Sequence, residues 1–477
     1  MEGVSNQPPF GRLECRGIFR LTFVCLATTV LLLQSLFPAA ASVRHGSLKA
    51  ELFHRNHPFS RMRSTQDLSY TESFVRRRLT AKSPNVTMKG FVNWETNMTD
   101  GAPYEYLMTI SLGTPPQDFV AVADTGSWLT WLQCTPCTSC FSQPSPYFDP
   151  MASSTYQNLS CSSAGCTALQ QTNPTPGCNS SCPFSQGYFD GSYTEGNFSS
   201  ETINLKSNTG LNITVPDFWF GCSYTSSSPS GLFDSADGII GLSPQTTSLP
   251  SQLGHVFEDK FSYCLVNRSA ASVQSSLLVF GKDADLDLRL QYTPILSNPS
   301  AGSVQYYYYI GIEGISVGGV ALDYNATAFA IDSTGGGGTI IDSGTTYTYL
   351  SPLAFGPLLA AIIAKVPSSY QRIPPISFFD LCYNVSATGQ THRKHLPEVS
   401  FKLANDTHWN LSEDNAWEHF TDQNATCFSI FNQTSPGESS ILGNTQQRDF
   451  LVLYDRVESR LGFRKTDCAA ASLYGGT

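Results

Sequence analysis

From about residue 100 onward the chain reads as short apolar runs broken by turn residues, a pattern of strands more than of helices. Positions 106–112 alternate apolar and polar until Gly113-Thr114-Pro115-Pro116 interrupts them. Residues 119–123 form a continuous apolar run that delivers Asp124 into a glycine turn. Comparable runs recur at 218–220, 239–242, 276–280, 306–317, 339–341, 441–442 and 450–454. Helical spacing stands out at 352–366, entered after Ser351, and a second short helix is expected near Ser248.

The pattern also repeats. Val120-Ala121-Val122-Ala123-Asp124-Thr125-Gly126-Ser127 is echoed by Gly338-Thr339-Ile340-Ile341-Asp342-Ser343-Gly344-Thr345. An apolar-apolar-Gly step follows each copy, Ile239-Ile240-Gly241 after the first and Ile441-Leu442-Gly443 after the second. Two copies of one unit predict two similar lobes with one carboxylate each, changing over near residues 292–304, around Tyr292-Thr293-Pro294.

A strand that ends in Asp, a small hydroxyl residue and Gly sets a carboxylate on a tight turn, where glycine admits close backbone approach. If two lobes face each other, Asp124 and Asp342 share one site. Like charges that close do not both ionise readily, so the pair shares a proton and titrates in two coupled steps. A water held between them can lose a proton to one carboxylate while the other protonates a peptide carbonyl. Ser127 and Thr345 are placed to bond the outer carboxylate oxygens, and Thr125 and Ser343 to tie the turns of Gly126 and Gly344 together. No metal or cofactor is needed. One Asp-Thr-Gly alone is an ordinary turn, but two with matching flanks specify a site.

Composition adds a route out of the cell. Arg12, Arg16 and Arg20 precede an apolar stretch, 21–37, and then Ala39-Ala40-Ala41, which reads as a secretion signal over 1–41. Thr22, Thr28, Thr29, Gln34 and Ser35 argue for cleavage over retention as a signal anchor, so no stable membrane anchor is expected. Of 14 cysteines, Cys15 and Cys25 lie in that signal. The rest form an even set of the kind read as disulfides in an exported chain: Cys134, Cys137, Cys140, Cys161, Cys166, Cys178, Cys182, Cys222, Cys264, Cys382, Cys427 and Cys468. Spacing leaves their connectivity open, and a zinc cluster at Cys134, Cys137 and Cys140 is the lesser reading. Thirteen Asn-x-Ser/Thr sites, among them Asn85, Asn158, Asn197, Asn325 and Asn432, imply a glycosylated surface.

The net charge of −10 conceals a split. Residues 42–90 hold ten Lys/Arg against three Asp/Glu, whereas 91–477 hold 15 against 33. A basic propeptide over 42–95 would pair with the acidic body and loosen as carboxylates protonate. A solvated linker with a processing site at Arg76-Arg77-Arg78 is the plainer reading of the same stretch. The acidic body also gives nucleic acid no electrostatic support, so the aromatic run Tyr306–Tyr309 reads as a packed strand and not as a base-stacking surface. Gly335–Gly338 lacks a following Gly-Lys-Ser/Thr and is no phosphate loop. His392 and His395, beside Arg393 and Lys394, read as a solvated loop.

From about residue 46 nearly the whole chain resembles the pepsin family of aspartic proteases, and more closely its plant nepenthesin-like branch. The resemblance rests on Leu52-Phe53-His54-Arg55-Asn56-His57-Pro58 and on Leu112-Gly113-Thr114-Pro115-Pro116-Gln117 with the first aspartate block. It rests further on Lys260-Phe261-Ser262-Tyr263-Cys264-Leu265 and on Ile441-Leu442-Gly443-Asn444-Thr445-Gln446-Gln447 with Asp455 and Gly462-Phe463. It implies an all-β bilobal fold with a central substrate cleft, the N-terminal lobe over 96–294 and the C-terminal lobe over 295–477. It also implies a monomeric, acid-active endopeptidase made as a zymogen, with protein or peptide substrates and its own propeptide as intramolecular inhibitor. The expected destination is extracellular, in the apoplast or cell wall, with the vacuole as the alternative. Cys382 is implied to pair with Cys427. In Tyr188-Phe189-Asp190-Gly191-Ser192-Tyr193-Thr194 the resemblance implies a flap over the cleft, bearing Tyr188 with Trp131 as its hydrogen-bonding neighbour. Phe189 departs from the family's usual Gly, which leaves a catalytically silent, protein-binding relative as the rival reading.

Overall fold

The computed structural model describes residues 48–54, 105–206, 212–229, 236–267, 275–285, 287, 289–299, 305–385, 396–434 and 437–470. The signal segment, the arginine run 76–78, Asn85 and the loop 392–395 lie outside the described residues.

Strands form where the apolar runs place them: Tyr106–Leu112, Gln117–Asp124, Ser276–Phe280, Thr339–Ile341 and Phe450–Asp455. The main helix is Pro352–Lys365, with proline in its first turn, where a missing N–H costs nothing, and with Ala354, Leu358 and Ile362 buried along one face. The short helix Leu249–Gln252 is capped by Ser248, whose hydroxyl accepts from the Ser251 amide.

Two local expectations change. The run 306–317 is not one strand: Tyr309–Ile310 pairs with 295–296 and 339–340, whereas Ile312–Val317 joins Val399–Leu403 in another sheet. The chain changes partners at Gly311, a switch that an apolar run cannot signal. A further helix, Ala164–Thr172, buries Cys166, Leu169 and Thr172 on one face, too few apolar residues to announce it in the sequence; the Ser163 cap and the Cys166–Cys182 disulfide help to hold it.

One antiparallel platform runs through both halves of the repeat. Leu48–His54 lies between Tyr106–Leu112 and Ser276–Phe280. Lys260–Cys264 continues the sheet to Phe450–Asp455, then Arg460–Lys465, then Gln291–Leu296. Tyr292 to Pro294, where the sequence suggests a change of lobe, therefore lie within a platform strand. All twelve cysteines of the even set are paired: Cys134–Cys222, Cys137–Cys140, Cys161–Cys178, Cys166–Cys182, Cys264–Cys468 and Cys382–Cys427.

Candidate active site

Each half of the repeat builds its aspartate turn the same way. Gln117–Asp124 runs parallel to Gly238–Gly241, and Trp131–Gln133 returns antiparallel on the other side of that short strand. In the second half Thr339–Ile341 runs parallel to Ser440–Leu442, with Thr348–Leu350 returning beside it. The apolar-apolar-Gly step is thus the inserted central strand, buried on both faces. A threonine six residues after each aspartate fixes that step. Thr130 accepts from the Gly241 amide at 3.2 Å, and Thr348 accepts from the Gly443 amide at 3.1 Å. The Asp-x-Gly-x-x-x-Thr spacing behind this contact is a second periodic signal in the sequence, beyond the Asp-hydroxyl-Gly core.

The two turns meet. The Thr125 amide donates to Ser343 Oγ at 3.0 Å and the Ser343 amide to Thr125 Oγ1 at 2.9 Å. Ser343 Oγ donates across to the Ala123 carbonyl at 2.9 Å, and Thr125 Oγ1 to that of Ile341 at 3.4 Å. The carboxylates are held by matching donors. Asp124 accepts from the Gly126 amide (2.8 Å) and Ser127 Oγ (2.5 Å); Asp342 accepts from the Gly344 amide (3.0 Å) and Thr345 Oγ1 (2.7 Å). Both aspartates are fully buried.

Each carboxylate also lies over the opposite turn's glycine. A Cβ on Gly344 would fall 2.1 Å from Asp124 Oδ1, and one on Gly126 would fall 2.5 Å from Asp342 Oδ1. Neither gap admits a methyl group, so the glycines are required by contact between the turns. Gly344→Ala is therefore expected to push Asp124 aside and to cut kcat/KM by about a hundredfold, the scale of a misplacement near 1 Å. Steady-state kinetics on folded protein would check it; activity within threefold of the parent would contradict the packing.

Tyr188 sits at the hairpin joining Pro183–Gly187 to Tyr193–Lys206, and its hydroxyl accepts from Trp131 Nε1 at 2.7 Å. Asp190 organises the hairpin tip, accepting from the Ser192 amide (3.0 Å) and hydroxyl (2.8 Å). Phe189 is half-buried beside it. Phe141 meets Trp131 edge-on at 6.3 Å, presented by the loop that Cys137–Cys140 closes.

Sequence reasoning gave no role to the residues supporting the turns from within, although Asn444-Thr445-Gln446-Gln447 is part of the family resemblance. Asn444, Thr445, Gln446 and Gln447 form a short helix, all four fully buried, directly after the second apolar-apolar-Gly step. Asn444 Nδ2 donates to the Ser343 carbonyl at 3.1 Å. In the first half Asp237 is a buried carboxylate accepting from the Val120 amide at 2.7 Å. Four polar residues in a row between two apolar strands were the available signal.

Comparison with known proteins places this arrangement among relatives. A family model described as Xylanase inhibitor N-terminal matches residues 106–282, and one described as Xylanase inhibitor C-terminal matches 307–465. The chain is 38% identical over 380 residues to Aspartyl protease family protein 2 of Arabidopsis thaliana, covering 76% of this chain and 71% of that one. It is 34% identical over 378 residues to Aspartic proteinase nepenthesin-1 of Nepenthes gracilis, covering 77% and 79%. The crystal structure of edgp superposes with a TM-score of 0.63 at 25% identity, covering 77% of this chain and 93% of its own.

Proposed function

The chain belongs to the pepsin-like aspartic proteases of plants and is an aspartic-type endopeptidase acting on proteins or peptides, and from that premise we propose that Asp124 and Asp342 are its catalytic pair. The carrying observation is the reciprocal packing of each carboxylate on the other turn's glycine. A water between the carboxylates gives a proton to one of them as its oxygen bonds to the peptide carbon, while the other passes its proton to the carbonyl oxygen. The tetrahedral intermediate collapses as the peptide nitrogen takes a proton and the C–N bond breaks. The cycle requires one proton held within the pair, so hydrolysis falls as pH rises towards neutrality. Tyr188, oriented by Trp131, closes over the substrate.

We propose further that the protein is exported as a zymogen. Leu48–His54 comes from the basic segment yet fills a position in the platform, with Leu48, Ala50 and Leu52 buried. Cleavage downstream would leave that strand held by non-covalent contacts, its sheet hydrogen bonds and packing among them. Phe189, with the descriptions of the two family models as xylanase inhibitor domains, favours the rival reading of a silent, protein-binding relative. The test is hydrolysis of a denatured protein by the processed chain between pH 3 and 7, with and without a transition-state-analogue inhibitor of aspartic proteases. Acid-dependent, inhibitor-blocked cleavage is expected. A folded, processed protein that cleaves nothing would reject catalysis and favour the binding role.

A further inference from the structure

The indole of Trp131 is fully buried and carries the bond to the hairpin tyrosine, from Nε1 to the Tyr188 hydroxyl at 2.7 Å. Its backbone has little freedom, because the strand pairs at Trp131 with Gly221 in one neighbour and Ile239 in the other. The ring, however, turns about two side-chain torsions, and a small rotation there carries Nε1 away from the hydroxyl. A bond that places the flap therefore needs the ring held as well as the strand.

Phe141 meets that need. Its ring stands edge-on to the indole, with centroids 6.3 Å apart and planes at 81°, the arrangement that aromatic quadrupoles favour. Tyr188 lies against the same indole at 6.5 Å and 38°. Trp131 thus meets one ring from the flap hairpin and another from the loop that Cys137–Cys140 closes.

That loop is fastened through main-chain and amide groups. The Phe141 carbonyl accepts from Gln133 Nε2 at 3.1 Å and from the Tyr147 hydroxyl at 3.1 Å. Gln133 is fully buried, two residues beyond Trp131 on the same strand, and its side chain is saturated. Its second amide hydrogen goes to Gln143 Oε1 at 2.7 Å, and its oxygen accepts from Ser226 Oγ at 2.5 Å. The Thr138 amide donates to the Tyr224 carbonyl at 2.8 Å and the Ser226 amide to the Ser139 carbonyl at 2.7 Å, binding the loop to the strand Asn212–Ser227. The two donors that reach residue 141 take its carbonyl, so they would serve any side chain there. What they hold in place is a ring set against Trp131.

We propose that Phe141 is a positioning residue for the flap: held through its main chain by Gln133, Tyr147 and the Cys137–Cys140 bridge, it fixes the Trp131 ring, and through the indole N–H it fixes the Tyr188 hydroxyl. Phe141 acts on the reaction only through Trp131 and Tyr188. The proposal rests on the reading of Tyr188 as the residue that closes over the substrate.

The experiment uses the processed full chain carrying Phe141→Ala, Tyr188→Phe, or both, with active sites counted by a tight-binding inhibitor. Phe141→Ala removes the edge contact and leaves the anchored carbonyl. It is expected to lower kcat per active site about tenfold with KM within threefold of the parent, the effect of a sub-ångström misplacement of the flap. Tyr188→Phe keeps the ring and deletes the hydroxyl that Trp131 holds, and a loss of similar size is expected. Adding Phe141→Ala to Tyr188→Phe should then change kcat less than twofold, because the bond through which Phe141 acts is already gone. A merely structural role for Phe141 would lower the melting temperature in both backgrounds and leave kcat per active site at the parent value, which would overturn the proposal. A full tenfold loss in the Tyr188→Phe background would also overturn it, since Phe141 would then act on the substrate directly. Should Phe141→Ala not fold, Phe141→Leu, which keeps apolar bulk without the ring edge, is judged by the same coupling. Parent kcat in Tyr188→Phe alone would overturn the flap reading itself, and this proposal with it.

Discussion

Asp124→Asn and Asp342→Asn are each expected to lower kcat by about a thousandfold or more while leaving the fold intact. The substitution is nearly isosteric: the amide oxygen can keep the bond from the Gly126 or Gly344 amide, while the –NH2 replaces the oxygen that met Ser127 or Thr345, whose hydroxyl can turn to accept. What is lost is the ability to take up and release a proton. With either carboxylate neutralised the pair has a base without an acid or an acid without a base. Both variants should be equally silent, unlike variants of a support residue, whose losses are partial. Kinetics on protein shown by circular dichroism and thermal melting to be folded would decide. Retention of more than a tenth of the activity in either variant would remove that residue from the chemistry.

The second large effect concerns stability. Cys264 and Cys468 are separated by 204 residues and are joined by a disulfide. In the chain-entropy description, opening a loop of that length costs about 5 kcal/mol of stability, whereas Cys137–Cys140, three residues apart, contributes about 2 kcal/mol. The long bridge also fixes the segment around Cys468, just after two platform strands, Phe450–Asp455 and Arg460–Lys465, which carry Tyr454 and complete the sheet. Replacing Cys264 and Cys468 together by serine should lower the denaturant midpoint far more than replacing Cys137 and Cys140. A similar midpoint for the two double variants would show that sheet packing holds these strands without the bridge.

The aspartate turns were legible in the sequence because they are local: an apolar run, Asp, a hydroxyl residue and Gly are all contiguous, and the unit occurs twice. Tyr188 and Trp131 were named through family resemblance, and their bond at 2.7 Å joins residues 57 apart. The support behind the turns was not legible. Tyr263 meets Gln447 and Tyr454 across 184 and 191 residues, and each residue alone is an ordinary part of a strand or short helix. Disulfide spacing was equally silent for most pairs, since bridges depend on which strands the platform places side by side. The run 306–317 misled because period and polarity report burial, and both sheets bury their strands.

The contact of each carboxylate with the other turn's glycine also bears on how the molecule can change. Neither half contains an active site of its own, because Asp124 is shaped by Gly344 and Asp342 by Gly126. Substitutions at these turns are therefore judged by a surface encoded more than 200 residues away, and a change tolerable in one half alone is still rejected by the pair. The outer loops answer to no such counterpart. Diversity should accumulate there, in glycan sites and cysteine-closed loops, while the two turns drift only together.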